Sequence, residues 1–480
     1  MTARYSLGVD VGTTSVKVCA VDEAGAVVAT ASSHHGIDES GEGVQVDAER
    51  WWDSLLTALA ALSIDLADVA TVGFSGNMSS VVLVDEENAA LAPAMLLADA
   101  RGADQLAGLS DEVTAEIVTR TGNVPETVFS LASLLWLRDE RPEFLSSTAA
   151  WLSSKDYLRA RLTGVRATDP TDAYNSLLMR DAEWSPDLIE AVGLPAHIFP
   201  PLVGSGERAG AVTAEASALT GLPIGIPVAA GSGDVAAAIT GAGGLGADAL
   251  AVSLGTSATV MASVPDRRLP DAALGSLTVH PSAEGTYFAL GSLLTGGLAL
   301  NWLRGIVGPE AIAAASAEPA GGEVVFLPYL AGTGSPDFVP TARGTLFGIT
   351  PATTAEEIVA ALLEAIAFDI AGLIERVGMD YSAILVSGGG SHIAAWPQIL
   401  ADVTGIPVDR LDAPDLSAIG AAVLGWRAAG QEVAAAGRTE RVHPRPDTAE
   451  CWAVRRARYE AARTSALDLY TNPPIRTIGK

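Results

Sequence analysis

The sequence predicts an α/β protein of two domains with similar cores, on two observations. At 480 residues the chain is longer than one hydrophobic core ordinarily organises. A strand followed by a Gly-Thr loop also occurs twice, at Asp10-Val11-Gly12-Thr13-Thr14-Ser15 and at Ser253-Leu254-Gly255-Thr256-Ser257. The two loops are about 240 residues apart, the spacing of a duplicated domain.

The first half opens with three strands, Ser6 to Asp10, Val16 to Asp22 and Ala26 to Ser32, which read as a hairpin ladder rather than a βαβ start. Apolar spacing predicts a helix over Trp51 to Leu62, then strands over Val69 to Ser75 and Ser80 to Val84. Helical patterns at Thr114 to Arg120, Leu131 to Asp139, Ser154 to Leu162 and Pro186 to Val192 predict an α-rich insertion over about 100–222. A strand, Pro223 to Ala230, and a helix, Asp234 to Thr240, lead to the glycines of Gly241 to Gly246. Those glycines mark the boundary between domains at 1–243 and 244–480. The second half repeats strand, Gly255-Thr256-Ser257 and strand. It continues with a helix over Ala355 to Arg376, a strand over Ala383 to Ser387 and a helix over Ala395 to Thr404. Two prolines after Tyr470 predict a frayed tail.

Composition narrows the partners. There are 29 Lys and Arg against 57 Asp and Glu, a formal net charge of −28, which repels phosphate backbones and anionic lipid. Neither nucleic acid nor membrane is therefore an expected partner. The weakly charged run Ile224 to Ala247 contains Pro227, Asp234 and many glycines, so it reads as strand, turn and helix rather than a membrane span. The only cysteines, Cys19 and Cys451, suit a reducing compartment, and Met1 to Gly12 lacks a secretory pattern; a cytoplasmic protein is expected. The six histidines show no HExxH or similar ligand spacing, against a dedicated transition-metal centre.

The Gly-Thr loops bring backbone amides and hydroxyls toward phosphate oxygens, because glycine leaves room for close approach. Asp10, at the end of its strand, is placed to hold Mg²⁺ directly or through water. An ordinary hairpin turn is the bland reading of either loop alone; the pair favours ATP phosphates. Ser387-Gly388-Gly389-Gly390-Ser391 would let adenine or ribose lie on bare backbone, or serve as a connector. No GxxxxGK[ST] loop is present, and no GxGxxG follows the first strand. Asp234, after Gly231-Ser232-Gly233, can accept the proton of an attacking hydroxyl or simply cap its helix. Met78 and Ser79 interrupt two strands and either line a substrate pocket or form a bulge; Asp99 and Arg101 either bind sugar hydroxyls or pair at the surface. Trp51, Trp52 and Trp136 fall on apolar helical faces and read as core.

With these motifs the chain resembles the FGGY family of carbohydrate kinases from Gly8 to about Trp426. Its sharpest mark is Gly344-Thr345-Leu346-Phe347-Gly348-Ile349 followed by Glu357-Ile358 and Ala361 to Glu364. Lys155-Asp156-Tyr157-Leu158-Arg159 and Phe326-Leu327-Pro328-Tyr329-Leu330-Ala331-Gly332 are most similar to the branch that acts on ketopentoses such as D-xylulose. The resemblance implies two actin/hexokinase-like (ribonuclease H-like) ATPase domains with a cleft between them, sugar against the first and nucleotide in the second. It implies that Asp234 is the proton acceptor, and that Thr13, Thr14, Thr256, Gly297, Asn301, Gly389 and Gly390 hold ATP. A homodimer is the assembly it implies. The branch has His where this chain has Ser79 and Asn where it has Val235, which removes two hydrogen-bonding side chains from expected sugar contacts. Another ketose, a polyol or an aldonate therefore stays open as substrate. Readings from other classes are an actin-like ATPase indifferent to sugars and a sugar sensor without catalysis.

Overall fold

The computed structural model describes residues 4–471 apart from 42, 320, 321, 414 and 434–436. The tail expected to fray lies, from residue 472, outside the described residues. Contacts divide the chain into two compact units with interleaved segments: Met1–Gly244, Val279–Tyr287 and Asp415–Ala436 in the first; Leu245–Thr278, Phe288–Pro414 and Gly437–Lys480 in the second. A single cut at 243/244 thus misses two later segments that pack with the first unit.

The sheet of the first unit has the order Arg208–Ala211, Pro227–Ala229, Val69–Gly76, Tyr5–Val11, Ser15–Asp22, Val27–His34. Tyr5–Val11 runs antiparallel to Ser15–Asp22 and parallel to Val69–Gly76. Both central strands are buried almost throughout, as strands covered on two faces must be, whereas Val27–His34 alternates half-buried and exposed residues. One cover is the helix Leu416–Ala428, whose backbone rests directly on the sheet. A β-carbon at Gly73 would stand 1.8 Å from the carbonyl oxygen of Ala421, and one at Gly420 equally close to that of Ala237 in the helix Asp234–Gly241. Ser6 Oγ and Thr71 Oγ1 donate to Ala422 O and Gly425 O from the strands beneath.

The main core of this unit packs Trp51, Trp52 and Leu55 of Glu49–Ala61 and Tyr157 and Leu158 of Ser154–Thr163 against strand residues such as Leu7, Val9 and Phe74. A second cluster, with Leu131, Leu134, Leu135 and Leu188, belongs to the α-rich part. The insertion expected over about 100–222 is therefore not continuous: Ser154–Thr163 sits in the main core, and Arg208–Ala211 is an edge strand of the main sheet. The strand expected over Ser80 to Val84 begins only at Val82, because Ser79 adopts φ 62 and the Ser80 hydroxyl turns back to Asn77 O.

The second unit repeats the sheet order, with Arg438–Val442, Val408–Leu411, Ala383–Ser387, Ala249–Leu254, Ala258–Val264 and Tyr287–Leu293 in the corresponding places. Its central pairings again change from antiparallel to parallel at the strand that precedes the Gly-Thr loop. The long helix Ala355–Val377 starts with a reciprocal capping box, Thr354 to the Glu357 amide and Glu357 back to the Thr354 amide, and stops at Gly378 with φ 71. Among the described residues no helix is long and apolar enough to cross a membrane.

Candidate active site

Asp10 is the next-to-last residue of the central strand of the first unit, and the turn that follows is closed by Gly12 N–H donating to Ser15 O at 2.9 Å. Gly12 is half-buried, while Thr13 and Thr14 are exposed. Ser75, the register partner of Asp10 on the parallel neighbour, donates through Oγ to Asp10 Oδ1 at 2.5 Å. Lys17, opposite Asp10 on the antiparallel side, reaches Asp415 Oδ2 at 2.7 Å, and Asp415 caps Leu416–Ala428 through the Ala418 amide. Burial, then the Asp415 charge, push the Asp10 carboxyl up to about 6, against the pull of Ser75 and Lys17.

Asp234 follows the short strand Ser232–Gly233, which pairs in parallel with Ser75 and Gly76. Both carboxylates thereby come to the carboxyl ends of strands that each pair in parallel with Val69–Gly76, where α/β sheets place their ligands. The alternative reading of Asp234 as a helix cap does not match the geometry. Gly233 occupies the cap position without a side-chain cap bond, and Asp234 Oδ1 accepts from the amide of the next residue, Val235, at 2.8 Å. Burial and the charge of Asp10 push the Asp234 carboxyl up to about 7; Asp172 adds to this, and the Val235 amide opposes it. A carboxylate in that range can take a proton near neutral pH.

Behind Asp234 lies a buried ionic cluster. Lys155 Nζ contacts Asp156, Asp169 and Asp172 at 2.7, 3.0 and 3.1 Å, and Arg159 also pairs with Asp156. Asp172 Oδ2 accepts from Ser153 Oγ, while its Oδ1 is buried without a hydrogen-bond partner and lies 3.4 Å from the point a Gly233 β-carbon would occupy. Met78 Cγ stands 3.1 Å from the same point, so Met78 borders the segment that presents Asp234. Ser79 is buried beside it in sequence, in the left-handed backbone region.

Asp99 and Arg101 serve each other. Asp99 is fully buried and accepts from Arg101 Nη2 at 2.6 Å and from the Val44 amide at 3.0 Å, and the guanidinium stacks 4.4 Å above Trp136. Trp136 is half-buried between Arg101 and Arg141 rather than core, unlike Trp51 and Trp52. Arg101 and Trp136 line a cavity of about 230 Å³ with Gln45, Leu83 and Phe144; neither Met78, Ser79 nor Asp234 borders it.

In the second unit, three separate glycine elements converge. Gly297 N–H donates to Gly255 O at 2.7 Å and Gly296 N–H to Thr256 O at 2.9 Å, which docks the start of the helix Gly297–Val307 on the loop. Ser253 and Ser387 are parallel register partners, so the Gly388–Gly390 turn leaves the sheet beside Gly255. A β-carbon at Gly390 would meet the Trp396 ring at 2.5 Å, whereas one at exposed Gly389 would meet nothing within 4 Å. Asn301 is exposed one turn into the helix and accepts from Arg304.

Sequence reading missed Ser75, Lys17, Asp415 and Asp172. Ser75 and Lys17 were legible only as strand residues whose register with Asp10 was unknown. Asp415 lies far along the chain, and Asp172 becomes relevant only once it packs behind Gly233.

Two sheets of the same strand order, each ending in a Gly-Thr loop, define an ATPase of the actin/hexokinase type. The model of the FGGY family of carbohydrate kinases, N-terminal domain, matches residues 5–241, and its C-terminal domain matches residues 250–429. The chain belongs to the FGGY family of carbohydrate kinases, enzymes that take ATP as phosphate donor. A xylulose kinase of Escherichia coli (strain K12) is 33% identical over 450 residues, 89% of this chain and 90% of that protein. One from Streptomyces coelicolor is 34% identical over 427 residues, 87% and 86% of the two chains. The crystal structure of xylulose kinase from Rhodospirillum rubrum superposes with a TM-score of 0.85 at 28% identity, covering 98% of this chain and 100% of that one.

Proposed function

We propose that the protein transfers the γ-phosphoryl group of ATP to a primary hydroxyl of a ketopentose, with D-xylulose the foremost candidate. The observation that carries the reaction is Asp234, a carboxylate placed directly after a strand that pairs in parallel with Ser75 and Gly76, next to the Ser75 that bonds Asp10, and pushed up to about 7. In this reading the substrate hydroxyl gives its proton to Asp234 as its oxygen bonds to phosphorus, and ADP leaves with the former bridging oxygen. Gly12, Thr13, Thr14, Gly255, Thr256, Gly297, Asn301, Gly389 and Gly390 hold the nucleotide by backbone amides and hydroxyls. Met78 and Ser79 contact the sugar. Asp99 and Arg101 bind sugar hydroxyls, Asp99 fixing a guanidinium that also donates to Gln45 Oε1.

The residues also fit a magnesium ion carried mainly by nucleotide phosphates. Among the described residues no group of three or more His, Cys, Asp or Glu could hold a metal by itself. Asp10 is a single carboxylate driven toward protonation by burial and Asp415, and a nearby cation would relieve that. Asp10 would hold the ion directly or through water. Bound there, Mg²⁺ supplies charge that offsets the phosphate oxygens.

The xylulose assignment draws on the relatives named above. Ser79 and Val235 favour a second reading, a different ketose, polyol or aldonate, because neither supplies the imidazole or amide of the ketopentose branch. An ADP-release screen over ketopentoses, ketotetroses, polyols and aldonates tests both. D-xylulose should give the highest kcat/KM; a tenfold preference for another class would move the assignment to it, and ADP release indifferent to every sugar would overturn the kinase reading.

A further inference from the structure

The Gly231–Asp234 segment that presents the carboxylate is held at its Gly233 amide by a buried hydroxyl, besides its pairing with Ser75 and Gly76 and the Ser417 Oγ bond to Asp234 O at 3.1 Å. Gly231 has φ 82, and a β-carbon there would press within 2.3 Å of Phe74 O, so the chain turns sharply before Asp234. The next anchor is Gly233 N–H, which donates to Thr171 Oγ1 at 2.8 Å. Thr171 Oγ1 in turn donates to Asp169 Oδ2 at 2.8 Å, so its single proton points away from Gly233 and its lone pair toward it. Asp169 is itself fixed by Ser205 Oγ at 2.6 Å and Lys155 Nζ at 3.0 Å, all buried.

We infer that Thr171 is a positioning residue for the phosphoryl transfer, its hydroxyl transmitting the rigidity of the buried Lys155–Asp169 pair to the backbone amide that precedes Asp234. The inference rests on the assignment of Asp234 as proton acceptor. Thr171 is buried, and its hydroxyl is engaged on both sides, so it is unavailable to substrate. Its role is to fix where the Asp234 carboxylate stands. In-line transfer is sensitive to such placement, since a displacement of about 1 Å can cost a hundredfold in rate.

Thr171→Val keeps the shape and removes the acceptor, while Thr171→Ser keeps the hydroxyl. For Thr171→Val we expect kcat with the best sugar to fall about tenfold or more while KM for ATP stays within about twofold, and Thr171→Ser should restore most of kcat. Thermal melting and nucleotide affinity are measured on each variant, so that kcat is expressed per folded, ATP-competent molecule. A purely structural role would lower the melting temperature and leave that kcat unchanged, which would overturn the inference, as would a serine variant as slow as the valine one. Asp234→Asn is run alongside. If it turns over normally, the acceptor assignment fails and the inference with it; if it is inactive while Thr171→Val is unimpaired, only the positioning role is lost.

Discussion

A β-carbon on Gly8 would stand 1.8 Å from the carbonyl oxygen of Ala418 and 2.7 Å from the amide nitrogen of Ala422, so the first strand and the Leu416–Ala428 helix meet backbone to backbone. Ser6 Oγ and Trp426 Nε1 hydrogen-bond across the same seam, to Ala422 O and Val21 O. The contact carries the capping residue Asp415 to Lys17 and Asp10.

Gly8→Ala should therefore destabilise the fold by about 3 kcal/mol or more, because backbone atoms on both sides have no room to yield. Denaturant unfolding measures this. Gly389→Ala is the contrast: nothing lies within 4 Å of its added carbon, so stability should stay within about 0.5 kcal/mol while KM for ATP rises.

The pH profile should follow the raised carboxylates. Asp234 accepts a proton only when ionised, so kcat/KM for the sugar should climb with pH through an apparent midpoint between about 6 and 7, the values to which Asp10 and Asp234 are pushed up. A profile flat from pH 5.5 to 8.5 would remove Asp234 from the proton transfer.

Lys155 is buried at 0% exposure among three carboxylates. Burial disfavours its charge, but Asp156, Asp169 and Asp172 outweigh this and raise its pKa above the ordinary lysine value. Lys155→Met leaves Asp169 and Asp172 without their cation, while Asp156 keeps Arg159, and should cost about 3–5 kcal/mol, seen as a fall in the urea midpoint.

His280, buried and stacked 6.2 Å from Phe129, is pushed by burial from 6.5 down to about 3. A group whose folded pKa is depressed in this way binds fewer protons folded than unfolded. Its stabilising contribution is complete above about 6.5 and is lost as pH falls toward 3, at up to about 1.4 kcal/mol per pH unit. His280→Phe should flatten that part of the stability curve relative to the parent; an unchanged slope between pH 6 and 4 would show that His280 is not its source.

The hairpin ladder, the paired loops and the amphipathic helices were legible in the chain because each is set by local periodicity or turn chemistry. Asp234 stood out as a carboxylate directly after Gly-Ser-Gly at a strand end, with a helix cap as its other reading. The cores of the insertion were not, because apolar helices at Ser154–Thr163 and Leu131–Leu135 look alike until one packs under the main sheet and the other does not.

By itself, then, the sequence determined the two-domain α/β class, the paired Gly-Thr loops and, with the family signatures, a carbohydrate kinase. Tertiary structure decided which distant residues surround the carboxylates. Register aligned Ser75 and Lys17 with Asp10, glycine seams let Leu416–Ala428 bring Asp415 beside them, and a buried hydroxyl on Thr171 fixed the amide before Asp234. These are contacts between segments far apart in the chain, made by close packing and desolvated hydrogen bonds, and no local pattern of residue types encodes them.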